Sequence, residues 1–379
     1  MSHDRPAYDI VILALADLRF DARTMNIAAA LSRSGLRVAC VAPDVSGNSV
    51  FDGVHTVYVP TKEEGRLWTR WRGFTREVLK RSDALSARAY WAADLWTLRA
   101  ARRCGKTHGA PVVYDARELY SALGPLNERP VTQFFVSMME RIYAGDVDRI
   151  VVSGELDAEY VRLHLRREDK PDVILNVPPS SEVGKTDLLR RRCGIPEEHR
   201  IVIYQGAVLE GRGIGLLLNA LAYLPGMHAC ILGDGPAREP FMRAAAAKPW
   251  HDRIHFLGNI PNAELAQWTA SADVGMCFIE PRSLSYRLAL PHKLFEYAMA
   301  RIPALVSDLP AMRRVIERFP FGELVATTAT AEECARGLQT LVDHADRYVP
   351  SAQAAAAVFN REAQEDVIVR VAMETLKNA

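Results

Sequence analysis

Pro291-His292-Lys293-Leu294-Phe295-Glu296-Tyr297-Ala298-Met299-Ala300-Arg301-Ile302-Pro303-Ala304-Leu305-Val306-Ser307-Asp308 reads as loop, helix, buried strand and loop. Leu294, Tyr297, Ala298 and Arg301 keep the spacing of a short helix that Pro291 starts, and the apolar run Pro303 to Val306 is closed by two polar residues. The first turn of such a helix presents unpaired N–H groups and the positive end of the dipole, which attract phosphate. Lys293 adds a full charge beside it. Glu296, one turn on, can accept hydrogen bonds from a neutral polyol, each worth roughly 1.5–3 kcal/mol. The combination suits a nucleotide sugar, with diphosphate on the helix start and ribose on the carboxylate. The same residue types also suit an ordinary surface helix of an α/β protein, so the rest of the chain has to decide.

A chain of 379 residues that is 49% hydrophobic and 25% charged exceeds one ordinary core and divides into two domains. Its net charge of +1, with 25 Lys or Arg against 23 Asp or Glu up to Ser180, argues against a dedicated nucleic-acid binder. The six cysteines stand singly; Cys40, Cys230 and Cys277 lie in apolar runs and read as buried thiols of a reducing cytoplasm. Met1 to Pro6 has no signal-peptide core, and no run of about 18 apolar residues could span a bilayer, so a soluble or peripheral protein is expected.

Tyr8 to Leu15, a helix through Leu31, a stop at Gly35 and a second apolar run Val38 to Ala42 give strand, loop, helix, strand, the opening of a parallel doubly wound sheet. Asp17, Arg19 and Arg23 in the first loop then face the ligand crevice at the carboxyl ends of the strands. No Gly-x-Gly-x-x-Gly follows the first strand, which argues against a dinucleotide cofactor. Lys62 to Arg81 holds seven basic and three acidic residues with Trp68, Trp71 and Phe74. This pattern fits either a solvated helix that buries its tryptophans or a contact with an anionic membrane or phosphate-linked lipid. Ala84 to Arg103 is expected to be one long helix. Pro111 to Tyr114 is a strand that delivers Asp115, Arg117 and Glu118 to its carboxyl end, where either solvation or an active-site cluster explains them. Asn176 to Ser181, with two prolines, reads as the linker.

Beyond it, the strand Ile201 to Tyr204 runs into a loop with Gly206, Gly211, Gly213 and Arg212, whose guanidinium is a planar fork for diphosphate. The next strands end in Gly233-Asp234-Gly235-Pro236 and in Phe256-Leu257-Gly258-Asn259. With these pieces in order the chain resembles glycosyltransferase family 4. The resemblance rests on Tyr204-Gln205-Gly206 with Arg212-Gly213, Leu232 to Pro236, His255 to Gly258, Pro291 to Tyr297 and Pro303 to Asp308. A looser likeness extends to Asp17–Arg23, Tyr114–Glu118 and Ile174–Asn176.

That resemblance implies an α/β GT-B fold, two Rossmann-like doubly wound domains facing across a cleft. It implies an acceptor domain over 1–177, a donor domain over 178–360, and a helix over 361–379 packing back on the first domain. It further implies a retaining, metal-independent transferase with no cofactor. Such an enzyme moves sugar from a UDP- or GDP-linked donor to a glycan, lipid-linked or small-molecule hydroxyl, in the cytoplasm or peripherally on the inner membrane face. By position, Arg212 matches the basic residue on the diphosphate and Glu296 the second of two glutamates, which binds ribose. Gly233 to Pro236 and Phe256 to Asn259 match the walls around the base; Gly206, Gly213, Pro291, His292 and Lys293 complete the donor site. Three departures stand out: Leu288 replaces the first glutamate, Ala207 replaces a basic residue, and Arg117 falls where many relatives carry histidine. They keep open a GT-B epimerase or a noncatalytic nucleotide-sugar-binding subunit. Asp115, Arg117 and Glu118 are the candidate catalytic residues, Glu118 as general base; Asp17, Arg19 and Arg23 lie on the acceptor side.

Overall fold

Apolar runs become parallel strands in this chain because helices cover both of their faces. The computed structural model describes residues 6–45, 53–61, 67–124 and 129–377. It falls into two units, Met1–Asn176 with Glu362–Ala379, and Val177–Arg361.

In the first unit, β1 (Tyr8–Leu13), β2 (Val38–Pro43), β3 (His55–Val59), β4 (Ala87–Ala92), β5 (Val112–Ala116), β6 (Arg149–Val152) and β7 (Asp172–Val173) form one sheet. Their order is β3-β2-β1-β4-β5-β6-β7, parallel throughout, so the direction of winding reverses between β1 and β4. The helices are α1 (Ala22–Arg33), α2 (Leu67–Lys80), α3 (Leu95–His108), α4 (Pro130–Ala144) and α5 (Glu155–Leu165). The C-terminal helix Arg361–Lys377 puts Ile368, Val371, Ala372 and Leu376 into the same core as Ile10, Val113, Val151 and Ile174. Arg370 reaches Asp172 of β7 at 3.1 Å.

One expectation fails here. The long helix over Ala84 to Arg103 is instead strand β4, a turn and α3. Intrinsic helix preference separates ordinary residues by at most about 0.7 kcal/mol each. Burying Tyr90 and Trp91, which are 0% and 1% exposed, contributes roughly 4–6 kcal/mol apiece. Burial therefore decides, and the alanines of Ala87-Arg88-Ala89 let β4 sit between β1 and β5. Asp94 then starts α3 through a capping box with Thr97. In the arginine-rich stretch, Lys62–Arg66 lie outside the described residues; within α2, Trp71 is buried whereas Trp68 is 44% exposed.

The second unit contains α6 (Leu188–Cys193), β8 (Arg200–Gln205), α7 (Ile214–Ala220), β9 (Met227–Leu232), α8 (Arg238–Ala246), β10 (Ile254–Gly258), α9 (Asn262–Ala270) and β11 (Val274–Cys277). There follow α10 (Leu284–Arg287), α11 (His292–Met299), β12 (Ala304–Ser307), α12 (Pro310–Arg318), β13 (Gly322–Val325), α13 (Ala331–Asp343) and α14 (Ala345–Val358). The sheet order is β10-β9-β8-β11-β12-β13, again parallel, with its reversal between β8 and β11. Buried Tyr297 fixes α11 over that reversal: the carbonyls of Ile203 (3.2 Å) and Met276 (3.1 Å) share its one hydroxyl hydrogen. A Cβ on Gly275 would sit 2.5 Å from the Tyr297 ring, so only glycine allows this approach.

At the amino end of this sheet three imidazoles form a chain. His199 Nδ1 lies 3.0 Å from His228 Nε2, and His228 Nδ1 lies 3.0 Å from His255 Nε2. Burial, with the neighbouring imidazoles adding to it, pushes His228 down to about 4. Its folded value lies below the unfolded one near 6.5, so the stability it contributes is complete above about pH 6.5 and is lost as pH falls through about 4. Denaturant unfolding between pH 4 and 7 should show that loss, and His228→Gln should flatten the slope by nearly one proton. An equal slope in the variant would contradict this assignment.

Candidate active site

Three loops meet at the carboxyl ends of β8, β9 and β10. Gly206 N donates to Leu232 O (2.9 Å), Val208 N to Asp234 O (3.0 Å) and Gly233 N to Gly258 O (2.7 Å). This weave requires Gly233, whose φ is +136° and whose hypothetical Cβ would lie 2.0 Å from Gly206 O. Gly213 starts α7 at φ +78°, with no room for a Cβ against Phe278.

Lys293 lies under this loop. Its side chain passes the Cα of Gly206, and Nζ sits 3.5 Å from the centroid of the Tyr204 ring. Only 9% of Lys293 is exposed, and Nζ has no hydrogen-bond partner within the described residues. Burial pushes the ammonium down to about 7, with Arg212 lowering it further and Glu296 raising it. Arg212 is half-buried and stacks on Tyr286 at 4.4 Å. Its charge is felt at Lys293, Cys277 and Tyr204 together, so the two cations share one neighbourhood.

Glu296 stands beside them at the end of a hydrogen-bonded row. Thr269 Oγ1 donates to Gln205 Oε1 (2.9 Å), Gln205 Nε2 donates to Glu296 Oε2, and His292 Nδ1 lies 2.8 Å from Glu296 Oε1. Burial alone would raise the Glu296 carboxyl, but the bonds from His292 and Gln205 and the charge of Lys293 outweigh it and hold it below the usual range. The same contact raises His292 against the lowering effect of burial. The sequence places His292 in the donor site without a partner and offers Gln205 only as part of a motif. The i, i+4 spacing of His292 and Glu296 was the readable signal for the first. Gln205 pairs across 91 residues, which no local pattern reveals.

Of the remaining donor-side expectations, Pro291 is the N-cap of α11, Asp234 is exposed and accepts from Gly235 N (2.7 Å), Phe256 and Leu257 are half-buried on edge strand β10, and Asn259 is exposed. Leu288 follows α10 at its C-cap and supplies no carboxylate.

The first unit gathers a separate charged cluster at the carboxyl ends of its strands. Asp115 has no exposed surface, and Arg23 grips both its oxygens (2.8 and 2.9 Å) while donating to Ile174 O (2.7 Å). This places both as a buried strut. Their expected facing of a ligand is corrected by this burial. Asp17 and Arg19 pair with each other at 2.6 Å. Arg117 donates to Asp21 (2.9 Å) and Thr24 (2.8 Å); burial would lower its affinity for its proton, but Asp115 and Asp21 more than reverse that. Glu118 is exposed. Asp94 was missed because β4 was read as helix; burial pushes its carboxyl up to about 6 against the opposing charge of Arg117. Asp157 is also pushed up to about 6 by burial, opposed by a 3.1 Å bond from Ser153. Both carboxyls can exchange protons near neutral pH.

Residues 185–357 match the model for glycosyl transferases group 1, and residues 21–176 match that for a glycosyl transferase 4-like domain. The chain belongs to the family 4 glycosyltransferases. D-inositol 3-phosphate glycosyltransferase of Mycolicibacterium smegmatis is 26% identical over 203 residues, 50% of this chain and 44% of that protein. The chain thus spans less than half the length of this curated relative. Sucrose-phosphate synthase from Thermosynechococcus elongatus superposes with a TM-score of 0.80 at 16% identity, over 98% of this chain and 100% of the other. Anabaena HepE in complex with UDP-glucose gives 0.74 at 14% identity, over 97% and 100%. The fold is GT-B.

A buried amine with no hydrogen-bond partner costs its own fold stability, and an apolar side chain of similar volume relieves that cost. Lys293→Met in this family 4 protein should therefore raise unfolding stability at pH 7 by about 1–3 kcal/mol. Denaturant titration checks this, and a less stable variant would show that the amine has a partner in the free protein.

Proposed function

We propose that the chain transfers sugar from a nucleoside-diphosphate donor, UDP- or GDP-linked, to an acceptor hydroxyl with retention of configuration. The observation that carries this reading is the buried, unpartnered Lys293 amine beside Arg212, under a glycine-woven loop. Two cations that share one neighbourhood, neither within ion-pair distance of a carboxylate among the described residues, suit a diphosphate. Glu296, kept ionised and one turn further along α11, is suited to accept hydrogen bonds from the ribose hydroxyls. The base would lie against Gly233–Gly235 and Phe256–Asn259.

In this scheme the bond between the anomeric carbon and the diphosphate oxygen breaks while the acceptor oxygen attacks the same face of the sugar. The acceptor proton passes to a donor phosphate oxygen. Arg212, Lys293 and the first amides of α11 stabilise the charge that grows on the leaving diphosphate, so the step needs neither a metal nor a cofactor from them. Arg117, exposed Glu118 and the neutral-range carboxyl of Asp94 are the groups proposed to orient and activate the acceptor. Asp115 and Arg23 act behind them, by holding that surface in place. The acceptor is proposed to be a glycan, a lipid-linked glycan or a small polyol, reached in the cytoplasm or at the inner membrane face. Asp17 and Arg19 are proposed to stand on the acceptor side.

A second reading is a nucleotide-sugar-binding partner without transferase activity, and Leu288 at the position of the family's first acid favours it. Thermal unfolding with UDP-, GDP-, ADP- and dTDP-sugars should raise the midpoint for one base, as expected for about 2.7 kcal/mol of stabilisation at a hundredfold excess over Kd. Arg212→Ala should remove most of that shift. Donor hydrolysis or acceptor glycosylation by the purified chain supports the transferase, a donor epimer among the products supports an epimerase, and a thermal shift without turnover supports the binding partner. An unchanged shift in Arg212→Ala would remove that residue from the site.

A further inference from the structure

Helix α4 is built inside out. It buries Val136, Met139, Glu140 and Ala144, yet it leaves Val131, Phe134, Phe135, Met138 and Ile142 between 41% and 68% exposed. These five share one face of the helix, and the only ionisable side chain there is Arg141 near the end. A contiguous exposed apolar face of this kind marks an interaction surface. Glu140, the other charged residue of α4, points inward and accepts from Tyr114 Oη at 2.9 Å.

The neighbouring α2 completes the surface. Trp68 and Trp71 of α2 face Phe135, Met138, Met139 and Ile142 of α4 across an apolar hollow of about 480 Å³. Trp68 is 44% exposed at its rim, and its ring packs edge-on against Trp71 (5.3 Å) and Trp96 (6.0 Å), which fixes it there. One and two turns along the same stripe stand exposed Arg72 and Arg76, with Lys80 beyond. Over α2 there are four basic residues and one acid, Glu77, which lies against Arg76, Lys80 and Arg81.

We propose that α4 and the Trp68–Arg72–Arg76 stripe of α2 form a docking surface for an anionic lipid bilayer, with the hollow between them accepting an acyl chain. Apolar and aromatic side chains enter the boundary between headgroups and acyl chains, while arginines beside them stay at the level of the phosphates. Charge decides against a second copy of the chain. A two-fold contact buries the same patch of both copies, so it doubles the arginines there and brings no matching acids from this surface. An anionic leaflet neutralises them instead. The proposal uses no donor-site residue and does not depend on the transferase reading.

Flotation of the full chain with phosphatidylglycerol/phosphatidylcholine vesicles, against phosphatidylcholine alone, tests it. Binding should appear with the anionic vesicles, fall roughly 30-fold in Arg72→Gln/Arg76→Gln, and fall about tenfold or more in Phe134→Ser/Met138→Ser. Every substituted side chain is exposed, and an unchanged unfolding midpoint confirms that the variants fold. Brominated acyl chains should quench the fluorescence of the wild type more than that of Trp68→Phe. Absence of vesicle binding, equal binding to neutral vesicles, or variants that bind like the wild type would overturn the proposal. So would a concentration-dependent dimer, seen by light scattering, that the serine substitutions dissolve without any vesicle binding.

Discussion

The ammonium of Lys293 is held out of water against the ring of Tyr204, with Arg212 close enough to repel it and no carboxylate in hydrogen-bonding contact. Isolated charges are costly in such surroundings, and a group placed there tends to shed its proton. Its value near 7 is that compromise. The surrounding design follows from keeping the amine where it is. Tyr297 anchors α11 on two strand carbonyls, Gly275 lets the helix come close, and Gly206 and Gly233 bring backbone over the amine without side chains in the way.

Glu296 is the counterpart, a half-buried acid kept ionised by neighbours that are themselves fixed. Thr269 orients Gln205, Gln205 and His292 hold the two oxygens of Glu296, and a carboxylate has lone pairs left after two such bonds. The site is thereby organised before any ligand arrives, and a preorganised site loses little on binding. The charged cluster of the first unit is organised differently. There the innermost charges, Arg23 and Asp115, pair with each other, and burial raises two nearby carboxyls, Asp94 and Asp157, to about 6.

Much of this was legible in the residues because the second unit follows local rules. Pro291 starts a helix, the glycines mark loops that approach other backbone, and Pro303 to Val306 alternates with nothing polar, as a doubly covered strand does. The errors came where distant packing overrides local preference. Ala87–Ala92 has the composition of a helix and becomes the strand next to β1, where Tyr90 and Trp91 are buried. That misreading also concealed Asp94. Asp115 looked like a residue facing a ligand from its place after a strand, and its partner Arg23, 92 residues away, takes it out of reach. The outward apolar face of α4 was equally hidden, since its pattern is amphipathic whichever face turns inward.

The buried amine of Lys293 waits for an anion, and calorimetry across pH measures that directly. UDP-glucose and GDP-mannose carry phosphates that do not titrate near neutrality, so any proton exchanged on binding belongs to the protein. With Lys293 mostly deprotonated at pH 8, binding in Tris and in HEPES should give enthalpies that differ by the buffers' ionisation heats times nearly one proton taken up. The difference should shrink toward zero at pH 6 and vanish in Lys293→Met. Binding at pH 8 with an enthalpy independent of buffer would contradict the account.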